Sequence, residues 1–198
     1  MVEWAKERDP ADVYRFLSRL FSLCSPMCLP KKLSISGASL EEFPLITRYA
    51  ENLTTLKIPW SFIANETVIR EARKLSSLHF LDLSYTYGIG ARAIEAIGKH
   101  CRLLTGFHRY MLLDFKDHYY DDEARAIAAT MHGLKSLEIN HFKFISHTSV
   151  LKILSSCTKL DYLDLRQSYI IGPGEKLPQY FSSRTLQKCS GRYDVFIR

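Results

Sequence analysis

Leu78-His-Phe-Leu81-Asp-Leu83 carries the pattern apolar-x-x-apolar-x-apolar, and the pattern returns along the chain. Full copies are Leu53-Thr-Thr-Leu56-Lys-Ile58, Leu134-Lys-Ser-Leu137-Glu-Ile139 and Leu160-Asp-Tyr-Leu163-Asp-Leu165. Two copies are degenerate. Pro30-Lys-Lys-Leu33-Ser-Ile35 starts on proline, and Leu104-Thr-Gly-Phe107-His-Arg109 lacks the last apolar residue. The second apolar position falls at 33, 56, 81, 107, 137 and 163, giving intervals of 23, 25, 26, 30 and 26 residues. A motif of this form at this period marks the leucine-rich type of repeat, one short strand per unit.

Between the strands runs a second pattern. Three residues before each motif lie Met27, Ala50, Leu75, Cys101, Met131 and Cys157. Seven residues before those lie Leu20, Phe43, Val68, Ile94, Ala124 and Val150, and four before them Leu23, Ile46, Glu71, Ile97, Ile127 and Ile153. Apolar residues at i, i+3 and i+7 mark one face of a helix. Glu71 alone breaks the register, and Ala72 beside it can serve. Each unit is thus a strand, a turn and an amphipathic helix. No unit can bury its leucines alone, so neighbours must stack around a continuous core. The expected fold is α/β: a leucine-rich-repeat solenoid of about six repeats, its curved parallel sheet carrying helices on the convex side.

The ends depart from the period. Residues 12–27 fit the helix half of a repeat, with Asp9-Pro10 as a start signal. No strand motif precedes that helix, so it reads as an orphan or capping helix, or as the continuation of a longer architecture. After Leu165 come Gly172-Pro173-Gly174 and Pro178 without a helical stripe. The expected division is a repeat domain over 1–171 and an irregular tail over 172–198. The 30-residue repeat contains an aromatic and acidic insertion of about five residues within Met111–Glu123. Inserted loops sometimes carry recognition and more often are drift in length.

Composition sets bounds on function. The chain has 198 residues, 46% of them apolar and 24% charged, with a net charge of +6. That balance is globular. No apolar run reaches the roughly 20 residues of a membrane helix, and the acidic start lacks the apolar core of a secretory signal. Cytoplasm and/or nucleus is the expected location. Five widely spaced cysteines, Cys24, Cys28, Cys101, Cys157 and Cys189, fit buried free thiols in a reducing compartment better than a disulfide framework. Basic clusters such as Lys31-Lys32 and Arg70-x-x-Arg73-Lys74 are too thin to track phosphates. The Asn52-Leu-Thr54 and Asn65-Glu-Thr67 sequons are read as chance.

One segment imitates a catalytic motif. Gly88-Ile-Gly90-Ala-Arg-Ala93 follows an apolar strand and opens a helix, with Asp114 at 24 residues beyond Gly90. That is the setting of a dinucleotide-binding loop. A turn at a helix start in one repeat among six is the preferred reading, since a dinucleotide fold has no reason to share phasing with five other segments. His118 with Asp117, Asp121 and Asp122 is a solvated acidic loop before it is a cation site. No catalysis, cofactor or metal is expected.

What remains is a surface. Residues between the buried leucines point away from the core: Lys57, Phe80, Asp82, Ser84, His108, Glu138, Tyr162, Asp164 and Arg166. Mixed charge with aromatic anchors suits a protein partner on the concave face, and neither nucleic acid nor membrane. On this reading Asp164→Ala leaves stability nearly unchanged and weakens partner capture. The asparagine ladder of receptor-type repeats is missing, its positions held by Thr86, Phe142 and Ser168.

Longer runs resemble a family. Leu78–Tyr85, Ile89–Cys101, Asp121–Met131 and Val150–Cys157 with Leu163-Asp-Leu-Arg166 resemble plant F-box/leucine-rich-repeat proteins of the Skp-interacting group, over about residues 10–170. Cys101 and Cys157 match the cysteine of the cysteine-containing repeat. The resemblance implies the substrate receptor of an SCF-type ubiquitin ligase, with the repeats holding the protein to be ubiquitinated and an F-box binding the Skp adaptor and thereby the cullin. No F-box is recognised in this chain, and Thr86 and Ser168 stand where the family carries cysteine. A truncated or free-standing interaction module is the alternative expectation. An oxidoreductase using Gly88 and Gly90 is a distant third.

Overall fold

The computed structural model describes residues 2–4, 10–23, 29–111, 119–142, 144–168 and 170–172. Strands β1 (Val2–Trp4), β2 (Lys32–Ile35), β3 (Thr55–Lys57), β4 (Phe80–Asp82), β5 (Gly106–His108), β6 (Ser136–Glu138) and β8 (Tyr162–Asp164) form one sheet. All pairs are parallel, and spatial order follows chain order. Helices α1 (Pro10–Leu23), α2 (Glu42–Arg48), α3 (Asn65–Glu71), α4 (Ala91–His100), α5 (Asp121–Thr130) and α6 (His147–Ser156) alternate with the strands, each packing on the next. A two-stranded sheet joins β7 (Ile145–Ser146) to β9 (Ile170–Ile171) beside α6.

Register follows from the leucines. Leu33, Leu56, Leu81, Phe107, Leu137 and Leu163 lie opposite one another across six strands. All are buried in one core with the helix stripes Phe43–Ile46–Ala50, Ile94–Ile97–Cys101, Ala124–Ile127–Met131 and Val150–Ile153–Cys157. Full burial of one such side chain contributes about 1.5–3 kcal/mol. The mixed α/β, parallel-sheet, leucine-rich-repeat-like fold is the one the periodicity predicts.

Three sequence expectations need correction. First, the helix over 12–27 is not an orphan: β1 precedes it and pairs with β2, Val2 opposite Leu33 and Trp4 opposite Ile35. Val2 and Trp4 take the motif's second and third apolar positions, so the first, three residues before Val2, has no residue in this sequence and the motif does not register. Second, α1 buries Leu17 and Phe21; the expected Leu20 is only partly buried against the core, and the expected Leu23 is 85% exposed. Phe21 stacks on Tyr49 at 4.4 Å, which turns the helix to that register. Third, Glu71 does occupy its buried stripe position, with Ala72 buried next to it. Its carboxylate accepts from Thr47 Oγ1 at 2.7 Å, Lys74 Nζ at 2.6 Å and Arg70 Nε at 3.0 Å. A buried charge is tolerated when so paired.

Arg109, the residue that spoils the fourth motif, also lies fully in the core, at 0% exposure. Its guanidinium forks onto Glu123 of α5 and donates to the carbonyls of Leu83, Thr86 and Ile89. One cation thus satisfies a turn of the preceding repeat and a buried carboxylate of its own.

Two further regularities are invisible to hydropathy. Gly37, Trp60, Tyr85, His141 and Gln167 all have φ between 58° and 78°. Each stands four residues past its repeat's second apolar position. The left-handed conformation costs a non-glycine residue about 1 kcal/mol, and ladder hydrogen bonds to the next repeat offset it. Gly37 N donates to Pro59 O, Trp60 N to Ser84 O, Tyr85 N to Tyr110 O and His141 N to Arg166 O. One residue further on, hydroxyls do what asparagines do in a ladder. Ser61 Oγ accepts from Ala38 N, Thr86 Oγ1 donates to Ile58 O, and Ser168 Oγ accepts from Phe142 N and donates to Ile139 O. The ladder expected to be missing is made of serine and threonine.

The tail over 173–198 and Cys24, Cys28 and Cys189 lie outside the described residues. Cys101 and Cys157 are buried free thiols, as expected of them.

Candidate functional site: the outward face of the sheet

The strands alternate between the core and a face turned away from the helices. Two rows of side chains cross that face. One is Thr55–Phe80–Gly106–Ser136–Tyr162, and the other is Lys57–Asp82–His108–Glu138–Asp164. Gly106 opens space in the first row: a Cβ there would lie 2.6 Å from the Phe80 ring, which therefore leans across β5. Phe80 meets His108 edge-on at 4.5 Å, and Lys57 Nζ sits 5.4 Å from the Phe80 centroid, a cation over an aromatic face. His108 Nε2 lies 3.3 Å from Glu138 Oε1, and the Tyr110 hydroxyl donates to Glu138 Oε2. Burial and then the neighbouring Glu138 carboxylate push the Tyr110 phenol well above its usual range.

Sequence reasoning missed four members of this face: Trp60, Tyr85, Tyr110 and Asn140. Trp60 and Tyr85 stack at 4.2 Å, and Tyr110 lies edge-on to Tyr85 at 6.4 Å. All three rings are half-buried. The available signal was position: Trp60 and Tyr85 stand four residues past their repeat's second apolar position, and Tyr110 and Asn140 three residues past theirs.

Two expected surface residues belong to the framework. Ser84 is buried, and its hydroxyl accepts from Tyr110 N. Asp164 is 1% exposed. It takes a forked pair from Arg166, at 2.9 and 2.6 Å, and a bond from Asn140 Nδ2 at 3.0 Å. Burial alone would raise its pKa, but the Arg166 and Asn140 hydrogen bonds outweigh burial and hold it below the usual carboxylate range. The expectation that Asp164→Ala spares stability is therefore wrong: alternation placed Asp164 on the outer face, and Asn140, Tyr162 and Arg166 close over it. Lys57 and Arg166 are exposed, while Phe80, Asp82, His108, Glu138 and Tyr162 are half-buried.

The glycine motif has a packing explanation. A Cβ on Gly88 would lie 2.4 Å from Ile63 O, so glycine there lets two repeats approach. The Gly90 N–H, which would have to cradle a phosphate, donates instead to Asn65 Oδ1 at 2.8 Å. A pocket of about 300 Å³ lies here, and the buried Arg109–Glu123 pair forms part of its wall. The sheet runs in sequence order, so the described strands have no switch point of the kind that seats dinucleotides. Asp114, Asp117 and His118 lie outside the described residues. Asp121 is held by Ser146, whose N–H and hydroxyl both donate to it, and Asp122 by Arg125.

A helix-backed parallel sheet with leucines in register defines a leucine-rich-repeat-like chain, and comparison with known proteins narrows the class. No protein-family model matches the chain. It is 50% identical over 139 residues, 69% of its length, to a protein named F-box protein FBW2 from Arabidopsis thaliana. It is 30% identical over 125 residues, 62% of its length, to a putative F-box/LRR-repeat protein 23 of the same plant. Over those stretches the chain is a relative of plant F-box/leucine-rich-repeat proteins. The matches span 44% and 27% of the two relatives' own lengths. Among the described residues no helix is long and apolar enough to cross a membrane.

Proposed function

We propose that the chain is a leucine-rich-repeat solenoid of about six repeats, spanning 1–171 with a tail over 172–198, that holds a protein partner on its outward sheet face and catalyses nothing itself. In this reading it acts as the substrate-recognition part of an SCF-type ubiquitin ligase, in cytoplasm and/or nucleus, and its partner is marked for degradation. An F-box, wherever it is supplied, recruits the Skp adaptor and cullin. Neither nucleic acid, membrane nor cofactor is involved. The observation that carries the reading is the 50% identity to an F-box protein over 139 residues of the chain. The half-buried rings of Phe80, Tyr85, Tyr110 and Tyr162 support a protein partner, because aromatic anchors dominate affinity at protein interfaces.

Affinity capture with the tagged chain, with Skp adaptor and cullin quantified beside other retained proteins, tests it. Joint enrichment of adaptor and cullin with a client supports ligase recruitment. Retention of a client without adaptor favours a free-standing interaction module. Failure to retain any protein above background overturns the reading.

A further inference from the structure

The outward face has an acidic centre, Asp82 and Glu138, that no lysine or arginine among the described residues pairs; the face's own Lys57 and Arg166 lie on Phe80 and Asp164. Asp82 and Glu138 flank His108 on one row. Glu71, Glu123 and Asp164 are all paired with a lysine or arginine of this chain. Asp82 and Glu138 are not, among the described residues. Asp82 accepts only from the Ser84 N–H at 2.9 Å, and Glu138 meets Tyr110 and His108.

A second observation lies two residues beyond Glu138 on the same face. Asn140 is buried, and its amide nitrogen is committed to Asp164. Its carbonyl oxygen Oδ1 is buried and accepts from no described group. A buried acceptor without a donor is unfavourable, and a partner N–H that reaches it would relieve that cost. The third observation is the aromatic wall of Trp60, Tyr85 and Tyr110 beside these acceptors. Planar guanidinium groups stack on such rings while donating in their own plane.

We infer that this centre, Glu138 and Asp82 with Asn140 Oδ1 against the Trp60–Tyr85–Tyr110 wall, seats an arginine or lysine side chain of the partner polypeptide. The inference rests on the protein-binding reading above and adds the chemistry of what is bound. Carboxylates at the centre repel phosphates, so the same geometry turns nucleic acid away. Charge complementarity sets the sign of the partner, and the aromatic wall favours arginine over lysine.

The test uses the full chain and immobilised synthetic peptide pools of about a dozen residues, randomised except for a central arginine, lysine, glutamate or leucine. Retention of the arginine pool about tenfold above the glutamate pool is expected, as for a half-buried charge pair. That preference weakens as salt rises and falls to parity in Glu138→Gln, whose fold is checked by circular dichroism. Asp82→Asn keeps an oxygen for the Ser84 N–H and lowers the preference without unfolding. Equal retention of arginine and leucine pools, or a preference surviving both substitutions, overturns the inference. Intact-partner capture that is unaffected by Glu138→Gln overturns the cation site yet leaves protein binding standing. Capture lost from the unsubstituted chain overturns the broader reading instead.

Discussion

Asp164, Glu71 and Arg109 show how single charges are kept inside this molecule. Each is buried, paired with a counter-ion and held by further hydrogen bonds, the condition under which a buried charge is tolerated; the counter-ion is itself buried only for Arg109, whose partner is Glu123. Asp164→Ala strands the Asn140 amide and frees Arg166, and should destabilise by about 1–3 kcal/mol in urea titration. A midpoint equal to that of the unsubstituted chain would return Asp164 to the free surface. Glu71 gives a pH signature. Burial works to raise its pKa, but bonds from Lys74, Thr47 and Arg70 dominate and lower it to about 2 from 4.5. A folded-state pKa below the unfolded value means stabilisation that is complete above about pH 4.5 and lost as pH falls toward 2. Lys74 and Arg70 are half to mostly exposed, so screening trims the contribution to roughly 2 kcal/mol. Glu71→Gln should therefore flatten the acid limb of stability over that window, and an unchanged acid limb would contradict the pairing.

At the scale of the element, neighbouring repeats are tied by devices that recur in register: a left-handed residue at Gly37, Trp60, Tyr85, His141 and Gln167, a hydroxyl reaching the preceding repeat at Ser61, Thr86 and Ser168, and a thiol at the helix end at Cys101 and Cys157. Cys101 Sγ lies 4.0 Å from Ala72 O, and Cys157 Sγ 3.5 Å from Met131 O, each reaching the preceding repeat. Burial pushes the Cys101 thiol up to about 12 and the Cys157 thiol to about 11. Reactivity belongs to the thiolate, so both should resist alkylation at neutral pH in the native state and react fully in denaturant. Peptide-resolved mass spectrometry reads this at each cysteine. Fast native labelling of Cys101 or Cys157 would mean that the helix ends do not seal the repeats.

The whole molecule is a stack in which the core belongs to no single unit. Leu137 sits next to the last place of the leucine row, between Phe107 and Leu163, and is fully buried. Leu137→Ala should destabilise by about 2–5 kcal/mol through the cavity it leaves. Because neighbours are coupled through their interfaces, hydrogen exchange should quicken in β5 and β8 as well as in β6. A change under about 1 kcal/mol in urea titration, well short of that range, would place that side chain outside a packed core.

The leucine spacing determined the repeat, the strand positions and the parallel register, because a buried side chain every 23 to 30 residues has one way to stack. It also marked the outward column that includes Phe80, His108 and Glu138, since strand alternation is local. Only tertiary structure decided that Asp164 and Ser84 are interior, that Arg109 fills a leucine's place, and that Trp60, Tyr85, Tyr110 and Asn140 border the acidic centre. Those outcomes depend on which group of the next repeat lies within hydrogen-bond reach. A partner some 25 residues away in the chain is brought there by stacking, and no local pattern encodes it.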